Sequence, residues 1–186
     1  MSSRIYRLTF CVLLFILSGY SQKAQAQFGQ GTVWAKDGYR YYKVQDSVIM
    51  ELDVRDESKK TIIADKAALT PSNGKAISVR RFSMSADGKR LLINTNTKKV
   101  WRYDTRGDYW VYDIGTKTLK QMGKGKPASS LMFAKFSPDG SKVAYVSEHN
   151  IYLEDLTLNT IKALTTDGTQ KLINGTFDWA YEEEFA

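Results

Sequence analysis

This chain is short of the residues that most chemistries need. It has one cysteine, three prolines and one histidine in 186 residues. The cysteine, Cys11, sits in an apolar N-terminal run, so the rest of the chain has no disulfide, thiol nucleophile or cysteine metal site. With His149 as the only imidazole and no Gly-x-Ser-x-Gly elbow anywhere, the chain lacks the parts of a serine-hydrolase triad. His149 falls in a Glu148-His149-Asn150 turn and reads as a solvated turn residue. No basic block is present, which argues against nucleic acid. We expect no metal and no cofactor. Long apolar runs are also missing: Leu8 to Leu17 is too short to cross a bilayer, which takes about 20 residues.

That short run does fit an export signal. Arg4 and Arg7 precede it and Ala24-Gln25-Ala26 follows, so residues 1–26 read as a signal helix cleaved near Ala26. The mature protein is then exported, to the periplasm or the cell exterior. Three of the 27 basic residues leave with the signal, which leaves 24 against 20 acidic residues and lowers the formal net charge from +7 to +4.

From Gln27 onward the pattern is of short apolar or alternating runs broken by turn residues, which predicts an all-β fold. Phe82-Ser83-Met84-Ser85-Ala86-Asp87-Gly88 and Phe136-Ser137-Pro138-Asp139-Gly140 repeat one hairpin, in which Pro138 presets φ and Gly140 can take positive φ. Each is followed by a second repeat, Tyr112-Asp113-Ile114 through Met122 and Glu154-Asp155-Leu156 through Leu164, where an aspartate enters the turn. A weaker copy runs from Leu52-Asp53-Val54 through Lys59-Lys60 to Thr61-Ile62-Ile63. Hairpin plus hairpin at about 40 to 50 residues is the spacing of four-stranded propeller blades. Residues 27–186 are therefore expected to form a partial β-propeller of two to three four-stranded blades in an open arc, part of a longer protein. Asn94 to Tyr109 reads as an insertion in one blade, and in it Arg102 stands between Trp101 and Tyr103. It is either a stacked structural arginine or a rigid donor aimed at a ligand.

The C-terminal end carries the densest signal. Glu182, Glu183 and Glu184 follow Asp178-Trp179-Ala180-Tyr181, and three adjacent carboxylates between aromatics make a candidate cation clamp. In a strand Glu183 and Glu184 would point to opposite sides, so convergence on one cation predicts a short helix.

Asp178-Trp179-Ala180-Tyr181-Glu182-Glu183-Glu184 after Asn174-Gly175, with Trp101-Arg102 and Tyr109-Trp110-Val111-Tyr112-Asp113, resembles the N-terminal propeller of the dipeptidyl peptidase IV family of exported serine exopeptidases. The resemblance implies a peptide substrate with a free N-terminus, whose ammonium Glu183 and Glu184 would hold, with Glu182 in support, while Arg102 binds a peptide carbonyl. It implies an α/β-hydrolase domain, absent from this chain, to supply the catalytic groups, so the chain by itself is expected to be inactive. A homodimer of the parent is a further possibility of the resemblance. Two alternatives stand beside it: a non-enzymatic periplasmic TolB-like propeller that binds a protein partner, and a related tripeptidyl exopeptidase.

Overall fold

The computed structural model describes residues 32–72, 74–178 and 180–181. Its strands are all antiparallel and fall into three sets of four. The first set is β1 (Thr32–Trp34), β2 (Arg40–Gln45), β3 (Val48–Asp53) and β4 (Asp56–Ala64), paired in that order. The second is β5 (Arg81–Met84), β6 (Arg90–Lys98), β7 (Arg106–Asp113) and β8 (Thr118–Gln121). The third is β9 (Leu131–Phe136), β10 (Lys142–Ser147), β11 (Asn150–Asp155) and β12 (Thr160–Ala163). These are three consecutive four-stranded blades. Among the described residues β1 pairs only with β2 and β12 only with β11, so the arc is open.

The repeats fold alike because their turn chemistry is local. In Ser85-Ala86-Asp87-Gly88 and in Ser137-Pro138-Asp139-Gly140 the glycine N–H donates to the serine carbonyl at 2.9 Å. In both, the aspartate Oδ1 accepts the serine hydroxyl at 2.6 Å and the backbone N–H two residues on. The second repeat is an Asx turn, with Asp113 Oδ1 accepting the Thr116 N–H at 2.9 Å and Asp155 Oδ1 that of Thr157 at 2.9 Å. The weaker first copy uses the same device, with its aspartate entering the turn. Its turn is at Val54-Arg55, closed by Asp53 Oδ1 on the Arg55 N–H at 2.9 Å, and Lys59 and Lys60 belong to β4. That strand is an outer edge, where charged side chains keep unpaired backbone from recruiting another chain.

Leu91, Leu92 and Ile93 of β6 are all buried, because a blade has a neighbour on each face. Leu91 and Ile93 pack with Ile49, Leu69 and Tyr112 toward the first blade. Leu92 packs with Val111, Met122, Leu131, Val143 and Tyr145 toward the third. Each fully buried aliphatic side chain contributes about 1.5–3 kcal/mol.

Candidate functional site

The segment from Asn94 to Tyr109, read as an insertion, is a long hairpin. β6 continues to Lys98 and β7 begins at Arg106, with a register shift between Thr95 and Lys98 where Asn96 takes φ 48°. Beyond the blade the start of β7 leaves β8 and joins the next blade, through Arg106↔Met132 and Gly107↔Leu131. Gly107 permits this. A Cβ there would lie 2.5 Å from Asn94 Nδ2 and 2.9 Å from the Thr95 carbonyl.

Two aspartates hold the hairpin. Asp108 fixes its base: Oδ1 accepts the Ser129 N–H at 2.6 Å and Oδ2 accepts Asn96 Nδ2 at 2.7 Å. The Ser129 hydroxyl in turn donates to the Asn96 carbonyl at 2.6 Å. Asp104 fixes the tip from the other side: Oδ2 accepts Arg80 Nε at 2.7 Å and the Thr97 hydroxyl at 3.0 Å, and Arg81 Nη1 lies 3.4 Å from Oδ1. Arg81 Nη2 also donates to the Asp104 carbonyl. Burial pushes the Asp104 carboxyl up, yet the Arg80 and Thr97 hydrogen bonds and the Arg81 charge outweigh it and leave it below the ordinary carboxylate value.

Arg102 stands at the exposed tip, between Trp101 and Tyr103, each about half exposed at 54% and 51%. A backbone bond from the Val100 N–H to the Tyr103 carbonyl, 3.1 Å, closes the tip. Under it lies a cavity of about 390 Å³. Val100, Trp101 and Arg106 wall it on the hairpin side, Met132, Val146, Glu148 and His149 on the third blade, and Ile173, Thr176 and Phe177 on the far side. Phe177 also walls a second cavity of about 330 Å³, with Phe133, Tyr145, Ile151 and Gly175.

The far wall runs into the glutamate motif. Gly175, at φ 80°, lets the chain press onto the third blade, where a Cβ would fall 2.6 Å from Val146 Cγ2 and 2.8 Å from Ile151 Cγ1. The Asn174 N–H donates to the His149 carbonyl at 3.1 Å. At Ala180 and Tyr181 the chain enters a helical turn, and Asp178 Oδ1 accepts the Tyr181 N–H at 3.1 Å as an N-cap does. Glu182, Glu183 and Glu184 lie outside the described residues, as does the N-terminal run through Ala26.

His149 departs from the sequence reading. It does stand in a two-residue hairpin turn, Glu148 and His149 having φ 50° and 64°, but it is half-buried and lines the cavity under the tip. Sequence reasoning also missed Asp104, Asp108 and the Arg80-Arg81 pair. The available signal was the doubled arginine at the start of a strand, with an aspartate two residues after Arg102.

Three antiparallel four-stranded blades in an open arc, the second and third joined into one eight-stranded sheet through the extended hairpin, define a portion of a β-propeller. Residues 85–186 match the family described as the dipeptidyl peptidase IV (DPP IV) N-terminal region, and the chain belongs to that family. It is 34% identical over 144 residues to a probable dipeptidyl-aminopeptidase B of Arthroderma gypseum, covering 77% of this chain and 16% of that protein. It is 35% identical over 142 residues to dipeptidyl aminopeptidase B of Saccharomyces cerevisiae, covering 76% and 16%. A crystal structure of dipeptidyl peptidase 4 from Porphyromonas gingivalis superposes with a TM-score of 0.74 at 26% identity, covering 84% of this chain and 22% of that one. The chain thus spans 16% of the length of the curated relatives it matches.

Proposed function

We propose that this chain is the substrate-anchoring propeller portion of an exported serine-type dipeptidyl peptidase, which releases dipeptides from the N-terminus of peptides. The observation that carries the reading is the shared cavity: the tip bearing Arg102 and the segment leading into Glu182-Glu183-Glu184 wall the same space, in a chain of this family. Glu183 and Glu184 hold the substrate's ammonium, Glu182 supports them, and Arg102 binds a peptide carbonyl. The chemistry suits the groups. Adjacent carboxylates repel unless a cation sits between them, and an ammonium supplies charge and three N–H donors. An N-terminus held at a fixed point sets which peptide bond reaches the nucleophile.

In this reading residues 1–26 are a cleaved export signal, the serine, histidine and aspartate come from an α/β-hydrolase domain outside these residues, and the whole enzyme forms a homodimer. A scaffold propeller has no need of both an arginine between aromatics and a glutamate run, and the intact Glu183-Glu184 pair speaks against tripeptidyl release. The test is kinetic, on the full-length gene product. Glu183→Gln and Glu184→Gln lower kcat/KM on free-amine dipeptidyl substrates by about 30 to several thousand fold, the effect of truncating one partner of a buried charged contact. N-acetylated substrate is equally poor. Wild-type rates in both variants, or an acetylated substrate turned over normally, would show that the acidic run anchors nothing.

A further inference from the structure

We infer that Asp104, gripped by Arg80 and Arg81, is a positioning residue that fixes where Arg102 stands at the tip of the hairpin. The inference rests on the anchor reading above, in which Arg102 binds substrate.

In the tip between Lys98 and Arg106, Trp101, Arg102 and Tyr103 are exposed. A backbone bond from the Val100 N–H to the Tyr103 carbonyl gives it a local shape. An anchor on such a tip needs a tether, because a misplacement of 1 Å can cost about a hundredfold in rate. The structure supplies one at Asp104, two positions beyond Arg102. The Asp104 carboxylate takes Arg80 at 2.7 Å, Thr97 at 3.0 Å and Arg81 at 3.4 Å, and the Asp104 carbonyl takes Arg81 as well. Side chain and backbone of one residue are therefore gripped together, which fixes a peptide plane as well as a position. The grip reaches the sheet through the Arg80 N–H, which donates to the Asn94 carbonyl at 2.9 Å.

Two features separate this clamp from general support of the hairpin. The base has its own fastening, the Asp108 bonds to Ser129 and Asn96, so loosening Asp104 disturbs the tip and leaves the blade. The arginines are also 43% and 40% exposed, and pairs so exposed contribute little to stability. What they give up in stability they supply as geometry, since a guanidinium fork binds in a fixed plane.

The experiment is a double-mutant cycle on the full-length gene product, with Asp104→Ala and Arg102→Ala alone and combined, read as kcat/KM on a free-amine dipeptidyl substrate beside thermal melts. Asp104→Ala alone is expected to lower kcat/KM by about ten- to a hundredfold. In the Arg102→Ala background it adds nothing, since it acts through Arg102. Asp104→Glu, which can still reach both arginines, recovers part of the loss. Asp104→Asn keeps the Thr97 contact and stands in if the alanine variant does not fold. Wild-type kinetics in the Asp104 variants beside an impaired Arg102→Ala would overturn the clamp and leave the anchor reading standing. An equal further loss in the Arg102→Ala background would also overturn it, by showing general damage. Wild-type kinetics in Arg102→Ala itself would remove the anchor, and the clamp with it.

Discussion

Glu154 offers a measurable test of how the second and third blades are joined. It lies on β11, is 2% exposed, and its carboxylate faces the last strand of the preceding blade. Oε1 is 3.0 Å from Lys120 Nζ on β8, an ion pair off the line of a well-aligned hydrogen bond, and Oε2 accepts the Gly123 N–H at 3.0 Å. Burial, and then the charge of Glu154, push the nearby Tyr145 phenol well above its ordinary value, so that hydroxyl stays neutral. Glu154→Ala strips the Gly123 N–H of its acceptor, at about 1–3 kcal/mol. It also leaves Lys120 without a counter-charge. Breaking a fully buried pair costs about 3–5 kcal/mol, but although the Lys120 Nζ is buried while paired, its side chain is 35% exposed and can turn the ammonium out to water once Glu154 is gone, which cuts this to about 1 kcal/mol. The expected loss is about 2–4 kcal/mol, or roughly 5–15 °C in Tm for a domain of this size. Glu154→Gln keeps an acceptor for Gly123 and loses about 1 kcal/mol. Replacing both partners at once, Lys120→Met with Glu154→Leu, comes closer to wild type than Glu154→Ala does, because no charge is then left without its partner, although the Gly123 N–H still lacks its acceptor. Urea unfolding followed by tryptophan fluorescence reads the order from the midpoints, provided the slope is unchanged. An alanine variant with the wild-type midpoint would refute the reasoning and make the pair an incidental contact.

Gly107→Ala is expected to cost about 1–3 kcal/mol, because its new Cβ meets the Thr95 carbonyl at 2.9 Å and backbone cannot step aside as a side chain can. Gly115→Ala is the control: its nearest neighbour is Asp113 Oδ1 at 3.5 Å, so its melt stays close to wild type. Acid should weaken the fold through its turn aspartates. Arg40 holds the Asp37 carboxyl down to about 2, the Ser137 hydroxyl and the Ser141 N–H hold Asp139 low, and the Arg55 guanidinium and N–H hold Asp53 low. A carboxyl with a depressed folded pKa adds stability that is complete above its unfolded value, about 4, and lost as pH falls toward the folded one. The urea midpoint should be level from pH 7 to about 5 and fall between about 4 and 2, and Asp139→Asn should flatten that fall; a midpoint that rises with acid would contradict the assignment.

What was legible in the sequence is what is encoded locally. Ser-x-Asp-Gly closes its own turn, Asp113 and Asp155 cap the turns they enter, and the blades follow from repetition of these devices. Polar strands were harder to read. β4 with Lys59 and Lys60 shows only as a weak copy of the repeat, and the outer half of β6 with Asn96, Thr97 and Lys98 reads as an insertion, because neither has a core on which to alternate. Pairing there rests on backbone bonds and on side chains far apart in sequence: Asp104 meets Arg80 at a separation of 24 residues, and Asp108 meets Ser129 at 21. His149 was misjudged for the same reason, since Asn174, which brings the far wall of the cavity against it, is 25 residues downstream and no local pattern announces the contact. The candidate site divides along this line. Arg102 was named through a resemblance and the glutamates through their charge, whereas the groups that aim Arg102 became visible only once the chain was folded. A residue that touches substrate can carry its own chemical signature, but one that holds it in place does so through distance and direction, which a linear sequence does not display.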